Sequence, residues 1–479
     1  MSTGRQRFFS NKRFDAEGNE VDGAAEDIRS SPGRDWDRII FSEGFRRLHD
    51  KTQVFPLNQH DTVHSRLTHS LEVASVGRSL GNHVGMLLQR GSLLPYPWSG
   101  RDVGDVVAAA CLAHDIGNPP FGHSGEDAIG AFFRTSVNDD ARSMLGMSEL
   151  EAIDLWRFEG NAQGFRILAR TGMRESPGMR LTATTYAAFM KYPRPTARDL
   201  HPSSAPMPKN ASAHRKKFGI FQSELPVARV VASATGMVPD GDGWRRHPLG
   251  WLVEAADDIC YRILDLEDGV RLKLIPESEA KEALFKVVSR FPDKITPRRE
   301  EPIGRLRAQA INGLLRNVGE LYEARWDAIR EGSMDRSLTD DDSCRDLLDD
   351  LGALVAKHCY RNDAVLEIEL AGYEILGAIL GRAIPAALLF QGVPAGVNGV
   401  PAEQRERVEG AFSRTRLSMP GDAEARKVLT RLHLLDEVRK AVTAYAAIQL
   451  VTDYVSGMTD SFAVSLYRHL HGISLPGHG

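Results

Sequence analysis

Apolar residues recur at three- and four-residue steps over Ser70–Leu88, Val103–Ala113, Ile303–Trp326, Leu347–His358, Val365–Leu380 and Arg426–Val455. That spacing lines one face of an α-helix. Two-residue alternation is scarce. The exception is Leu225–Trp251, where the β-branched run VARVVASA precedes the turn-rich GMVPDGDG as a short hairpin would. The pattern predicts an all-α, multi-helix fold with a small β-hairpin excursion and a helical C-terminal extension. Arg194–Asn210, Met237–Pro248 and Gln391–Glu403 are dense in Pro, Gly and small polar residues and are predicted loops. None is long enough to be a convincing interdomain linker. The expected organisation is therefore a core over residues 1–290 with a helical region, 291–479, packed on it, or a single domain without that boundary.

Composition narrows the classes. With 42% hydrophobic and 26% charged residues over 479 positions, the chain has a globular balance. A formal charge of -4, from 60 basic against 64 acidic residues, excludes a globally basic nucleic-acid binder, so a polyanionic ligand must meet a local cluster. The four cysteines form no C-x-x-C pair and the N-terminus MSTGRQRFFSNKRF lacks the apolar core of a signal peptide, which points to a reducing cytoplasm. Apolar runs are broken by Gly, Pro or charge before membrane-spanning length, and a soluble protein without a membrane partner is expected.

The densest chemistry lies in RLTHSLEV with His69, CLAHDIGNPPFGHSGE with His114 and Asp115, and EAADDICYRILDLED with Asp257. Two imidazoles and two carboxylates suit a divalent ion of the Mn, Fe, Co, Ni or Zn type with coordination positions left open. A lone histidine on a helix is ordinarily surface or satisfied core. Adjacent His and Asp closing an apolar helix are less ordinary, because burying both costs several kcal/mol unless a metal or partner compensates. Downstream, His123 and Glu126 stand three apart at the start of an apolar run. A carboxylate one turn away orients an imidazole for acid/base work, and the same pair also reads as a helix-capping arrangement.

HSRLTHSLEV, AHDIGNPPFGHSGE, RFEGNAQGFRIL, EAADDICY and VTDYVSGMTD resemble the signature segments of the bacterial deoxyguanosinetriphosphate triphosphohydrolase family of the HD-domain phosphohydrolase superfamily. The likeness runs from Arg34 to Ala463. It implies an HD catalytic core, metal ligation by His69, His114, Asp115 and Asp257 with Mn, Mg, Co, Ni, Fe or Zn, and catalysis by His123 and Glu126. Asp257 is preferred to Asp258 because the family's ligand opens an Asp-x-x-x-Tyr-x-x-x-Asp series, which Asp257, Tyr261 and Asp265 fit on one helix face. The implied reaction is attack of water on the α-phosphorus of dGTP or another dNTP, releasing deoxynucleoside and triphosphate.

By the same resemblance Arg66, Lys191 and Lys217 would meet the phosphates, with Lys216 a close competitor to Lys217, and Tyr192 would bind the substrate. Gln53, Val54, Tyr261 and Asp265 would line the sugar. Glu367 or Glu369 would pair with the guanine edge, the choice being open. The Pro-rich Arg194–Asn210 segment departs from the family pattern and leaves base preference less defined. The alternatives are another HD nucleotide phosphohydrolase or phosphodiesterase, or a nucleotide or single-stranded DNA sensor. The last would use Arg298, Arg299, Arg305 and Arg307, which read more simply as a solvated helix face. Single-stranded DNA or a dNTP could then act as an effector. Finally, the stripe Val428, Leu432, Leu435, Val438, Val442, Tyr445, Ile448, Val451 and Tyr454 needs cover, and relatives of this kind form homo-oligomers, so a tetramer or hexamer is expected in preference to a dimer.

Overall fold

The computed structural model describes residues 8–21, 28–53, 63–171, 178–204, 212–292, 298–359, 363–397, 399–415 and 417–473. Among them the fold is all-α. Its strands are two antiparallel pairs, Arg13–Phe14 with Glu20–Val21 and Pro239–Asp240 with Gly243–Trp244. The chain divides into two compact units. One comprises Met1–Ile116, Gly164–Pro195 and Met207–Leu366, and the other Gly117–Gln163, Thr196–Pro206 and Glu367–Gly479. Residue 290 falls inside the last segment of the first unit.

The first unit is organised by an antiparallel helix pair, Arg66–Arg90 and Gly100–Ala113. Ser65 and Ser99 open them with capping boxes, each side chain accepting the N–H three residues on. Gly77, Gly81 and Gly85 recur every four residues on one face of the longer helix, opposite Cys111, Gly104 and Gly100. A Cβ at Gly85 would lie 2.2 Å from the Gly100 carbonyl oxygen, and one at Gly81 would lie 2.8 Å from the Gly104 Cα. The two backbones thus meet directly, which no larger residue would permit. Because the pair is antiparallel, the start of one helix faces the end of the other. The Gly250–Arg271 helix packs on both, burying Leu252, Ala255, Ala256, Ile259 and Ile263.

The second unit contains the helices Gly122–Ser136, Glu149–Trp156, Ala444–Ser456 and Asp460–Leu470. Buried Asp154 accepts the Thr196 hydroxyl at 2.6 Å and the Tyr445 hydroxyl, tying three of its chain segments together.

Two expectations require correction. VARVVASA is helix, within Leu225–Ala234, and the hairpin lies wholly in the following turn-rich segment. Pro226 pre-sets the first turn, and Val227, Ala228, Val231 and Ala232 form a buried face, so tertiary packing overrides β propensity. Arg426–Val455 is three helices, Asp422–Arg431, Leu435–Lys440 and Ala444–Ser456. His433 takes a left-handed φ of +57° at the first break, and Thr443 caps the third helix by accepting the Ala446 N–H. Its apolar stripe is largely covered within the chain: Leu432, Val438, Tyr445, Ile448 and Val451 are buried, while Val442 is exposed. Leu366–Phe390 is long and apolar enough by composition to cross a membrane, with mean hydropathy 1.5, but it is interrupted by Glu374, Arg382 and Pro385, and 67% of the relevant window is buried inside the fold.

Candidate active site

Three elements of the first unit bring the predicted ligands together. His69 lies in the first turn of Arg66–Arg90, His114 caps the end of Gly100–Ala113 with Asp115 next, and Asp257 lies in the second turn of Gly250–Arg271. Donor atoms of His69, His114 and Asp115 all fall within 4.8 Å of one another. Asp257 Oδ1 is 3.3 Å from His69 Nε2 and 3.4 Å from His114 Nε2, and His114 Nε2 is 3.5 Å from Asp115 Oδ1. Two donors each about 2.1 Å from one ion sit about 3.0–3.4 Å apart for octahedral to tetrahedral angles. The spacing and the mixed N/O chemistry therefore fit a divalent cation.

The surroundings orient these donors. His114 Nδ1 is 2.7 Å from the Cys111 carbonyl oxygen. A carbonyl only accepts, so Nδ1 carries a hydrogen, and this bond fixes the ring with Nε2 on the side of the carboxylates. Arg66 donates to Asp115 Oδ2 at 2.5 Å. Burial alone would raise the Asp115 pKa, but Arg66, His114 and His69 outweigh it and bring the carboxyl down to about 2. Asp257 is likewise pushed up by burial and pulled further down by His114, His69 and Lys191, well below the ordinary carboxylate range. Asp258 faces elsewhere, accepting from Thr339 Oγ1 at 2.5 Å, and its pKa is raised, chiefly by burial. The helix thus turns Asp257, and not its neighbour, toward the imidazoles.

Lys191 Nζ lies 3.8 Å from both Asp257 Oδ2 and Glu254 Oε1. Burial opposes its charge, yet these carboxylates outweigh burial and raise its pKa, so the ammonium persists. Buried Arg246, absent from the sequence reading, binds Glu254 Oε2 at 2.5 Å and the Lys191 carbonyl at 2.6 Å, and its guanidinium stacks over Trp251 and Tyr192. Tyr192 and Lys217 are half-buried, whereas Lys216 is exposed. Tyr261 and Asp265 line a cavity of about 190 Å³ with Arg262, Gly352 and Val355, below the volume usual for a whole nucleotide. Gln53 is half-buried, and its Oε1 lacks a hydrogen-bond partner among the described residues. Val54 lies outside the described residues. Glu367 is exposed and Glu369 half-buried on Asp363–Phe390. Of the basic group near residue 300, Arg299, Arg305 and Arg307 pair with Glu282, Glu301 and Glu267.

The proton-transfer candidates belong to the second unit. His123 is 82% exposed at its side chain, and its Nδ1 is 3.1 Å from Glu126 Oε2. The other Glu126 oxygen accepts the Gly160 N–H at 3.0 Å. A carboxylate so held fixes the ring and stabilises an imidazolium, leaving Nε2 outward.

Residues 66–169 match the HD domain, and 424–469 match the phosphohydrolase-associated domain. A deoxyguanosinetriphosphate triphosphohydrolase-like protein of Synechocystis sp. is 38% identical, covering 93% of this chain and 95% of its own length. The chain belongs to the deoxyguanosinetriphosphate triphosphohydrolase family. Another member, from Pseudomonas aeruginosa, is 36% identical over 94% of this chain and 95% of its own. The deoxyguanosinetriphosphate triphosphohydrolase of Klebsiella pneumoniae is 31% identical over 98% and 97%. Within the HD match lie His69, His114, Asp115, His123 and Glu126; Asp257 lies beyond its end and is brought to His69 and His114 by the fold of the first unit.

Proposed function

We propose that the chain is a metal-dependent deoxynucleoside triphosphate triphosphohydrolase that converts dGTP and water to deoxyguanosine and triphosphate, with a range extending to other dNTPs. The observation that carries the reading is the convergence of His69, His114, Asp115 and Asp257 at ion-sharing distances in a member of this family. Those four residues would hold a divalent cation of the Mn, Mg, Co, Ni, Fe or Zn type. Such an ion, when bound, supplies Lewis acidity toward phosphoryl oxygen and a water of lowered pKa.

The remaining roles fall to the chain itself. Arg66 holds Asp115 ionised and oriented. Lys191, kept charged by Glu254 and Asp257, together with Tyr192 and Lys217, meets phosphate oxygens. Gln53, Val54, Tyr261 and Asp265 surround the sugar, Asp265 accepting from the 3′-hydroxyl. His123 hands a proton to the leaving 5′ oxygen or takes one from the attacking water, and Glu126 sets its tautomer. The pairing of Arg299, Arg305 and Arg307 with carboxylates favours a structural face there over a DNA-sensing one. The enzyme is soluble, cytoplasmic and homo-oligomeric in this reading; its four cysteines are free and buried.

The test is incubation of purified protein with each dNTP and NTP in several divalent metals, with products resolved by chromatography. Triphosphate from dGTP is the expected product. Release of phosphate or pyrophosphate would instead select another HD phosphohydrolase chemistry, and no turnover in any metal would refute the assignment.

A further inference from the structure

The His123 imidazole projects from a strained turn. Phe121 has a left-handed φ of +63°, a conformation bulky L-residues rarely adopt, and it leads directly into Gly122–Ser136. Two C-terminal elements of the same unit grip this turn. Asp460, first residue of Asp460–Leu470 and only 1% exposed, accepts the Phe121 N–H at Oδ1, 3.0 Å away. The Phe121 ring lies against Gly372 of Asp363–Phe390, where a Cβ would come within 3.0 Å of its Cγ and Cδ2. Nearby, Asp453 accepts from Gln163 Nε2 at 2.8 Å, three residues after the Gly160 whose N–H holds Glu126.

A buried carboxylate is retained at a cost unless charge-assisted hydrogen bonds offset it, and here one of them is spent on a backbone N–H at the strained residue. We infer that Asp460 is a positioning residue for His123, acting through the Phe121 N–H. The phosphohydrolase-associated segment thereby supports proton transfer without touching substrate. The Gly372 contact serves the same turn from its other side. This inference rests on the proton-transfer reading of His123, and the test separates the two.

Full-length protein is assayed with dGTP and Mn²⁺ as the wild type, Asp460→Ala, Asp460→Asn, Gly372→Ala, His123→Ala and the Asp460→Ala/His123→Ala double variant. Asp460→Ala is expected to lower kcat about tenfold or more, as a misplacement of a reacting group does, while KM and bound metal stay at wild-type values. Asp460→Asn keeps an Oδ1 acceptor and is expected to retain most of kcat. Gly372→Ala, which inserts a helix-favouring methyl against the ring, is expected to lower kcat in the same way and keeps the test decisive should Asp460→Ala fail to fold. The double variant is expected to be no slower than His123→Ala, because Asp460 acts through that residue. Wild-type kcat in both Asp460→Ala and Gly372→Ala, equal impairment of the Asn and Ala variants, or additive loss in the double variant would overturn the inference. Wild-type kcat in His123→Ala would overturn the underlying reading of His123, and the inference with it.

Discussion

His114 uses both ring nitrogens, one donating to Cys111 and the other aimed at Asp115 and Asp257. His114→Ala or Asp115→Ala should therefore abolish hydrolysis and reduce bound metal, measured by turnover and elemental analysis. Asp257→Ala should match them and Asp258→Ala should be milder, since only Asp257 faces the imidazoles; the reverse ranking would move the ligand by one residue. His123→Ala should keep metal and nucleotide affinity while slowing turnover by about a hundredfold or more. A different histidine should govern alkaline stability. Burial opposes charge on His64, but its hydrogen bond to Asp268 and the Glu72 carboxylate 3.1 Å from Nε2 outweigh it and raise its pKa to about 10, with Arg271 also facing Asp268. Because the folded value lies above the unfolded one of 6.5, this contribution is complete below pH 6.5 and is lost as pH rises through about 10. Denaturant titrations should show that loss in the wild type and a flatter profile in His64→Gln; equal slopes would exclude the linkage. At this scale the sequence singled out His69, His114, Asp115 and Asp257 by their own chemistry, and the fold brings the four side chains together. Arg246 and Glu254 were not singled out, because their contact with Lys191 joins segments distant in sequence, which spacing along one chain does not encode.

At the scale of elements, the site depends on how closely two helices approach. Gly81→Ala would place a Cβ 2.8 Å from the Gly104 Cα and 3.0 Å from the Val103 carbonyl oxygen, so backbone must move. The expected cost is about 1–3 kcal/mol of stability, as for overpacked cores, read from denaturant unfolding. Metal affinity should weaken in parallel, because the same pair of helices carries His69 and His114; unchanged stability and affinity would contradict the account. Helix existence was legible from three- and four-residue apolar spacing, as in Arg66–Arg90 and Gly100–Ala113. Helix ends were less so. The break at His433 has neither Gly nor Pro to mark it, and VARVVASA looks like a strand until the partners of Val227 and Val231 are known.

At the scale of the whole molecule, the apolar stripe of Arg426–Val455, which needs cover from its own chain or from a second subunit, is mostly covered by its own chain. Exposed apolar surface persists at Leu366, Leu370 and Tyr373, spaced along one face of Asp363–Phe390. A homo-oligomer remains the proposal, and light scattering during size-exclusion chromatography should give a multiple of 52.9 kDa; a fully active monomer would refute it. The division into two units was not legible, because each is assembled from three separated segments while sequence patterns reveal only contiguous ones. The central claim is the reaction itself, and its most direct test is hydrolysis of dGTP in water enriched in heavy oxygen, with products identified by mass spectrometry. The account predicts unlabelled deoxyguanosine and triphosphate bearing one heavy oxygen, as attack on the α-phosphorus requires. Label in deoxyguanosine, or release of the monophosphate with pyrophosphate, would contradict it.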